Sequence, residues 1–326
     1  MIITRTPLRL TLAGGGTDLP SYYERRGGVV LSAAINKYIY IGINQTFTDD
    51  YFIKYSQLER TREIDEIEHP IIREALKLHP VGPAIELVSM ADIPAGTGLG
   101  SSGAFTVGLL RTLYSHKREH VAAASLAEEA CHIEIDRLGR AVGKQDQYIA
   151  AFGGLSHFEL EPSGRVHVSP LLIAQETMLD LEERLLLFFT GYARDADLML
   201  EDQRRRSAEG DEEMLANLDE VASIGAATKR ALEEGDSRRF GELLDQHWQN
   251  KRRRTKGMSS DAVDRWYQAG REAGAVGGKL VGAGGGGFLL FYAEDQASLR
   301  EAMAREGLRE VRFSFDHDGS RLVVRD

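Results

Sequence analysis

Two glycine-rich segments constrain this chain more than any other feature: Pro94–Gly103 (PAGTGLGSSG) and Gly282–Gly287 (GAGGGG). In the first, Gly96, Gly98 and Gly100 alternate with larger residues, which frees the backbone to bend so that several N–H groups converge on one anion. The apolar, small-residue run that continues to His116 reads as a helix. Its start adds unpaired N–H groups and the positive end of a dipole. Ser101 and Ser102 place hydroxyls at that start, where one can reach a metal bound to phosphates. The loop lacks the lysine of a Walker P-loop and the third glycine of a dinucleotide fingerprint. Taken alone, it has a plainer alternative, a glycine turn with serine as a helix cap. Its neighbours decide between the two.

The chain has 326 residues, enough for two modest domains, and 42% hydrophobic with 28% charged residues suits a folded globular protein rather than a disordered one. A formal charge of -10 argues against non-specific nucleic-acid binding, which needs a Lys/Arg excess. One cysteine, Cys131, excludes an internal disulfide and reads as a core thiol. The N-terminus lacks a signal-peptide pattern, and no run of about 18 apolar residues exists, so a cytoplasmic protein without a membrane span is expected. Oligomeric state is left open.

Strands are expected at residues 2–12, 29–44, 85–90, 155–160 and 166–169, then at 185–190, 279–281 and 288–292. Ser125–Leu138 reads as a helix with Ser125 as N-cap and Glu128 completing a capping box. Between residues 196 and 249 the spacing predicts three helices, and another over 261–274. Residues 309–315 and 321–324 resemble a hairpin turning at Asp318-Gly319. The domain boundary is expected near residues 165–180, giving units 1–170 and 171–326.

Three segments together resemble the GHMP kinase superfamily, which includes galactokinase, homoserine kinase and the mevalonate kinases. Thr6–Asp18 (TPLRLTLAGGGTD) is similar to its first motif, Pro94–Gly103 to its second and Lys279–Phe288 to its third. The resemblance covers essentially the whole chain. It implies an α+β, two-domain fold, with a ribosomal-protein-S5-like N-terminal unit and a ferredoxin-like C-terminal unit. It also implies an ATP- and Mg2+-dependent phosphotransferase with an alcohol acceptor. Pro94, Gly96, Thr97, Gly98, Leu99, Gly100, Ser101, Ser102 and Gly103 would then hold ATP. Asp146, in an expected loop between Gly143 and Gly153, would be the catalytic aspartate, and Arg9 would polarise the site. Ser102 and Glu134 would bind Mg2+, although Glu134 stands among Glu128, Glu129 and Asp136, any of which suits a solvated helix face.

On the acceptor side, Gly15, Gly16, Thr17, Asp18, Gly284 and Gly285 fall in the motifs that meet the sugar. A carboxylate such as Asp18 accepts several hydroxyl donors, although it equally suits a local turn cap. The wording TPLRLTLAGGGTDLPSYY, GKQDQYIAAFGG and GGKLVGAGGGGFLLFY is most similar to bacterial kinases of D-glycero-D-manno-heptose 7-phosphate. That resemblance implies transfer to O1, giving the 1,7-bisphosphate. The acceptor's own phosphate would need a basic pocket, for which Arg194 and the run Lys251, Arg252, Arg253, Arg254 and Lys256 are candidates, Lys251 and Arg194 foremost. A charge run at a helix end is also simply solvated, or complements the dipole. Two alternatives stay open: a kinase of an unphosphorylated sugar such as fucose or galactose, and a catalytically silent sugar sensor on the same fold.

Overall fold

The computed structural model describes residues 1–191, 196–255 and 257–325. The N-terminal part runs β1 (Ile2–Ala13), α1 (Pro20–Arg26), β2 (Gly28–Gln45), β3 (Tyr51–Lys54), β4 (Leu58–Thr61), α2 (Pro70–Leu78) and β5 (Ile85–Ala91). It continues with α3 (Ser101–His116), α4 (Ala123–Cys131), α5 (Gln145–Phe152), β6 (Leu155–Leu160) and β7 (Val166–Pro170). Then follow α6 (Gln175–Arg184), β8 (Leu185–Gly191), α7 (Ala196–Glu209), α8 (Glu212–Glu233), α9 (Ser237–Arg254) and α10 (Asp261–Glu272). The chain closes with β9 (Ala275–Val281), β10 (Gly287–Ala293), α11 (Gln296–Arg305), β11 (Arg309–Glu310) and β12 (Arg321–Arg325).

The first sheet has the order β12-β1-β2-β5-β3-β4, with β6 also on β2 and carrying β7. The β-branched and aromatic run of β2 serves two neighbours in succession: Gly28–Ala33 pairs with β6 and Ile39–Gln45 with β5. β1 shifts register against β2 between Pro7 and Leu8, as expected where proline has no N–H to give the ladder. Just past that irregularity the Arg9 N–H donates to Leu99 O at 3.0 Å, so the strand is tied to the glycine-rich loop.

The second sheet, β11-β8-β10-β9, is antiparallel and covered on both faces. Its side chains sort with period two. Leu185, Leu187, Phe288, Leu290 and Tyr292 join the large core shared with the first sheet and α3–α5. Leu186, Phe188, Leu289 and Phe291 join a second core with Trp248, Val263, Tyr267, Leu299 and Met303 from α9, α10 and α11. Cys131 is buried in the large core, as expected of a structural thiol.

Several expectations need correction. The C-terminal hairpin does not form: β11 pairs with β8, while β12 crosses to the first sheet and pairs with β1. A division at residue 170 therefore separates β12 from the unit whose sheet it completes. α4 starts at Ala123 with Ala122 as an N-cap lacking a side-chain bond, so Ser125 caps nothing. Glu128, freed from a capping box, instead accepts from Lys144 Nζ at 3.0 Å and from the Tyr148 hydroxyl. Asp146 sits in the first turn of α5 rather than in a loop. Among the described residues, no helix is long and apolar enough to cross a membrane.

Phe291 is fully buried, 5.6 Å from the Tyr267 ring and 6.3 Å from that of Phe188. Phe291→Ala should cost about 3–5 kcal/mol of stability by leaving a cavity in the second core. Urea unfolding followed by fluorescence checks this through the midpoint; an unchanged midpoint contradicts the packing described.

Candidate active site

The first motif places Arg9 on β1, 6% exposed, where it meets Asp146 from α5 in a two-pronged ion pair. Arg9 Nε donates to Asp146 Oδ1 at 2.7 Å and Nη2 to Oδ2 at 3.0 Å, while Nη1 donates to the Gly98 carbonyl. The guanidinium fork matches a carboxylate in its plane, which fixes the Asp146 rotamer as well as its charge. One arginine thereby joins a strand, a helix and the glycine-rich loop.

The helix beginning at α4 widens into a π-helical turn over His132–Arg137, a distortion frequent at functional sites. It carries Glu134 fully buried beneath the start of α3. Glu134 Oε1 accepts from Thr106 at 3.0 Å and Gln147 at 2.9 Å; Oε2 accepts from the Ser102 hydroxyl and from Arg140 at 3.3 Å. Burial pushes its carboxyl above the usual range, and these donors only partly offset that. Among Glu128, Glu129, Glu134 and Asp136, the structure singles out Glu134.

The third motif packs directly on the second. A Cβ on Gly282 would lie 2.4 Å from Gly98 Cα, and Gly282 also has φ of 87°, so two glycine backbones touch where no side chain fits. This contact makes one wall of a cavity of about 650 Å³, a size suited to a nucleotide. Pro94, Gly96, Gly98, Gly100, Ser101 and Ser102 line its polar end; Ile39, Tyr55, His69, Ile71, Ile93 and Phe105 line its apolar end. The buried Ser101 hydroxyl has no partner, as fits a group awaiting a phosphate oxygen.

A second, smaller cavity lies across the Arg9–Asp146 pair, which lines both. One of its walls holds Asp18, whose Oδ1 accepts from Gly16 N at 3.0 Å and whose Oδ2 accepts from Gln145 N at 3.1 Å. A Cβ on Gly143 would strike Asp18 Oδ2 at 2.0 Å, which explains the glycine there. Burial raises the Asp18 carboxyl above its ordinary range; the backbone donor of Gln145 opposes this and the charge of Asp146 adds to it. Gln145 also donates to Asp18 through Nε2 at 3.4 Å and accepts from Thr11 at 2.7 Å. The other wall holds His247, Lys251 and Arg254 of α9 with Lys279 of β9.

Of the acceptor-side residues expected from sequence, Gly15, Gly16, Asp18 and Lys251 line the smaller cavity, whereas Gly284 lines the larger one. Thr17 is buried and lines neither: its hydroxyl donates to Gly14 O and Val29 O at 2.9 Å and closes the turn. Gly285 lines neither and bonds Met258 O through its N–H at 3.4 Å. Arg194 and Lys256 lie outside the described residues. Thr97, Leu99 and Gly103 support the loop from behind: Thr97 and Leu99 are fully buried, and Gly103 abuts Asp146. Sequence reasoning missed Gln145, His247 and Lys279, and did not sort the basic run. Helical spacing was the available signal, since residues 247, 251 and 254 share one face of α9. Arg252 and Arg253 point elsewhere, to Asp264 and Glu220.

Residues 69–154 match the model of the GHMP kinases N-terminal domain, and residues 228–309 that of the GHMP kinases C-terminal domain. A D-glycero-alpha-D-manno-heptose 7-phosphate kinase from Campylobacter jejuni is 31% identical, over 98% of this chain and 97% of its own. The chain belongs to the GHMP kinases. A solved D-glycero-D-manno-heptose 1-phosphate kinase from Bacteroides thetaiotaomicron matches all of both chains with a TM-score of 0.81 at 26% identity. Lactococcus lactis galactokinase, complexed with galactose, shares the fold: TM-score 0.76, 18% identity, 99% of this chain and 94% of that one. The two-domain α+β GHMP kinase fold expected from sequence is the fold observed. GHMP kinases take ATP as phosphate donor.

The raised Glu134 carboxyl has a signed consequence for this GHMP kinase. The unfolded chain loses that proton in the ordinary carboxylate range, the native chain only above it. Between the two the native state holds more protons, so this group makes stability fall as pH rises through the window. Without ligands, the thermal midpoint should therefore fall more steeply with pH in the wild type than in Glu134→Gln. Parallel profiles for the two proteins, measured by scanning fluorimetry, would discard this account of Glu134.

Proposed function

We propose that this GHMP kinase moves the γ-phosphoryl group of ATP to a hydroxyl of a sugar phosphate in the cytoplasm. The acceptor of first choice is D-glycero-D-manno-heptose 7-phosphate, phosphorylated at O1 to give the 1,7-bisphosphate. The observation that carries this reading is the Arg9–Asp146 pair standing between a nucleotide-sized cavity and a smaller polar one. The likeness to the Campylobacter jejuni heptose 7-phosphate kinase over the whole chain supports the choice of acceptor.

Phosphoryl transfer asks for alignment and for charge neutralisation rather than for covalent help from the protein. The acceptor hydroxyl lies against Asp146, whose carboxylate accepts its hydrogen bond and holds or takes its proton as the O–P bond forms. The bond from the γ-phosphorus to the bridging oxygen breaks and ADP leaves with that electron pair. Arg9 fixes Asp146 and brings a positive charge beside the transferring group. Asp18 and Gln145 orient the remaining hydroxyls, the former as acceptor and the latter as either partner. The loop N–H groups and the start of α3, with the Ser101 hydroxyl, hold the donor phosphates.

Ser102 and Glu134 fit Mg2+: one hydroxyl and one buried carboxylate, already in contact, are the hard oxygen donors a magnesium ion shares with phosphates and water. Among the described residues no group of three His, Cys, Asp or Glu side chains could hold a metal. When bound, Mg2+ would neutralise charge on the donor phosphates.

Two measurements test the reading. Asp146→Asn should lower kcat by about 100- to 10,000-fold while leaving ATP affinity nearly intact. ADP release with a panel of sugars should be fastest with heptose 7-phosphate. Wild-type turnover in Asp146→Asn removes that residue from the mechanism, and turnover of galactose or fucose alone transfers the assignment to the unphosphorylated-sugar alternative.

A further inference from the structure

The α9 wall of the smaller cavity concentrates buried hydrogen-bond donors. His247, Lys251, Arg254 and Lys279 are 3%, 7%, 5% and 3% exposed, a degree of burial rare for charged side chains. Their existing partners are few. Lys279 Nζ donates to Leu12 O at 3.1 Å and to His247 Nδ1 at 3.2 Å. With Nδ1 accepting, the His247 proton sits on Nε2, which has no partner. Arg254 donates from Nε to Asn217 at 3.0 Å and from Nη1 to Gln203 at 3.0 Å, and its buried Nη2 is likewise unpartnered. Lys251 Nζ donates to the carbonyls of Leu280 and Gly282 and keeps a third proton.

Packing alone is a poor explanation. Buried cations held only by carbonyls are costly, and apolar residues of like volume usually serve stability better. The charges lining this cavity are Arg9, Lys251, Arg254 and Lys279 against Asp18 and Asp146, so cations exceed acids by two. Arg9 and Asp146 satisfy each other. The excess therefore lies on the α9 wall, and what it lacks is an acceptor-only, doubly negative ligand. Burial and mutual repulsion already pull Lys251 down to about 7 and depress Lys279 and His247, as befits cations gathered without their anion.

We propose that His247, Lys251, Arg254 and Lys279 form an anion subsite that receives the phosphate already present on the acceptor and selects for phosphorylated sugars. This rests on the sugar-phosphate reading above and deepens it. The acceptor spans the cavity, its hydroxyls toward Asp18 and Gln145, its reacting oxygen at Asp146 and its phosphate on α9. A sugar lacking that phosphate leaves two buried donors and two positive charges unmatched, which penalises it.

The test uses the full-length protein loaded with Mg·ADP, so that the nucleotide loop is filled, and inorganic phosphate as the probe. Isothermal calorimetry should show phosphate binding to the wild type, weakened about tenfold or more in Lys251→Met and in Arg254→Gln. In turnover of heptose 7-phosphate, the same variants should raise the acceptor KM by a similar factor, with kcat and the KM for ATP little changed. Arg254 also braces the glycine turn through Gln203, so a fold defect in Arg254→Gln leaves the decision to Lys251→Met, which swaps a buried charge for an isosteric apolar chain. Undiminished phosphate binding in Lys251→Met overturns the subsite. Loss of phosphate binding without turnover of any sugar phosphate upholds the subsite and overturns the substrate reading instead.

Discussion

The bidentate contact between Arg9 and Asp146 is the interaction around which the rest of the molecule is arranged. Taking a guanidinium and a carboxylate out of water is expensive unless each finds fixed partners. Here Arg9 spends its three nitrogens on Asp146 and Gly98 O, and its own N–H on Leu99 O. The side chain is held by α5, the phosphate loop and β1 together, so that none of the three can shift alone. The Asp146 carboxylate remains partly open, its side chain 25% exposed against 7% for Arg9. A rigidly held carboxylate with one accessible face suits the role proposed for it, at the junction of two adjoining cavities.

The second constraint is steric. The glycine-rich loop before α3 touches the third motif backbone to backbone, at Gly98 and Gly282, so the second sheet ends against the loop. That contact, and the Lys279 bond to Leu12 O, fasten β9 to β1 across the site. The final strand reinforces the same arrangement from elsewhere, since β12 leaves the second half to complete the first sheet. The reacting centre thus lies on a seam stitched at several points, and its precision does not depend on one interface. Glu134 repeats the logic beneath α3, with four side chains converging on one buried carboxylate.

Sequence reading reached those parts of the fold whose cause is local. The β-branched run of β2, the glycine loop before α3 and the three helices from residue 196 all announce themselves through period and composition. It failed where tertiary partners decide. Nothing local shows that residues 309–310 and 321–325 belong to different sheets, because both have the same β propensity and a good turn between them. Ser125 with Glu128 makes a convincing cap pattern, yet Glu128 is claimed by Lys144, just before α5, and by Tyr148 within it. In the site, Arg9, Asp18, Ser102 and Asp146 could be singled out because they stand within or beside short glycine-containing motifs whose order along the chain is informative. His247, Lys279 and Gln145 were not, since Gln145 and Lys279 meet the first motif across more than a hundred residues, at Asp18 and Leu12, and His247 enters the cavity beside Lys279 from another element.

The distribution of charge between the two halves explains why the acceptor cavity is built across the seam. The protein carries a formal charge of -10, yet the α9 side of this cavity is cationic, so the proposed sugar phosphate would meet local attraction there. Asp18, Gln145 and Asp146 come from the first half of the chain, and Lys251, Arg254 and Lys279 from the second. An acceptor engaging only hydroxyl-binding groups would hold to one half alone. One that also carries a phosphate would bridge both, beside the Gly98–Gly282 contact. Selection for a phosphorylated acceptor and alignment of its free hydroxyl against Asp146 are then one geometric event. Helical period on α9 supplies it: residues 247, 251 and 254 turn inward while Arg252 and Arg253, equally basic, pair with surface acids and contribute nothing to the cavity.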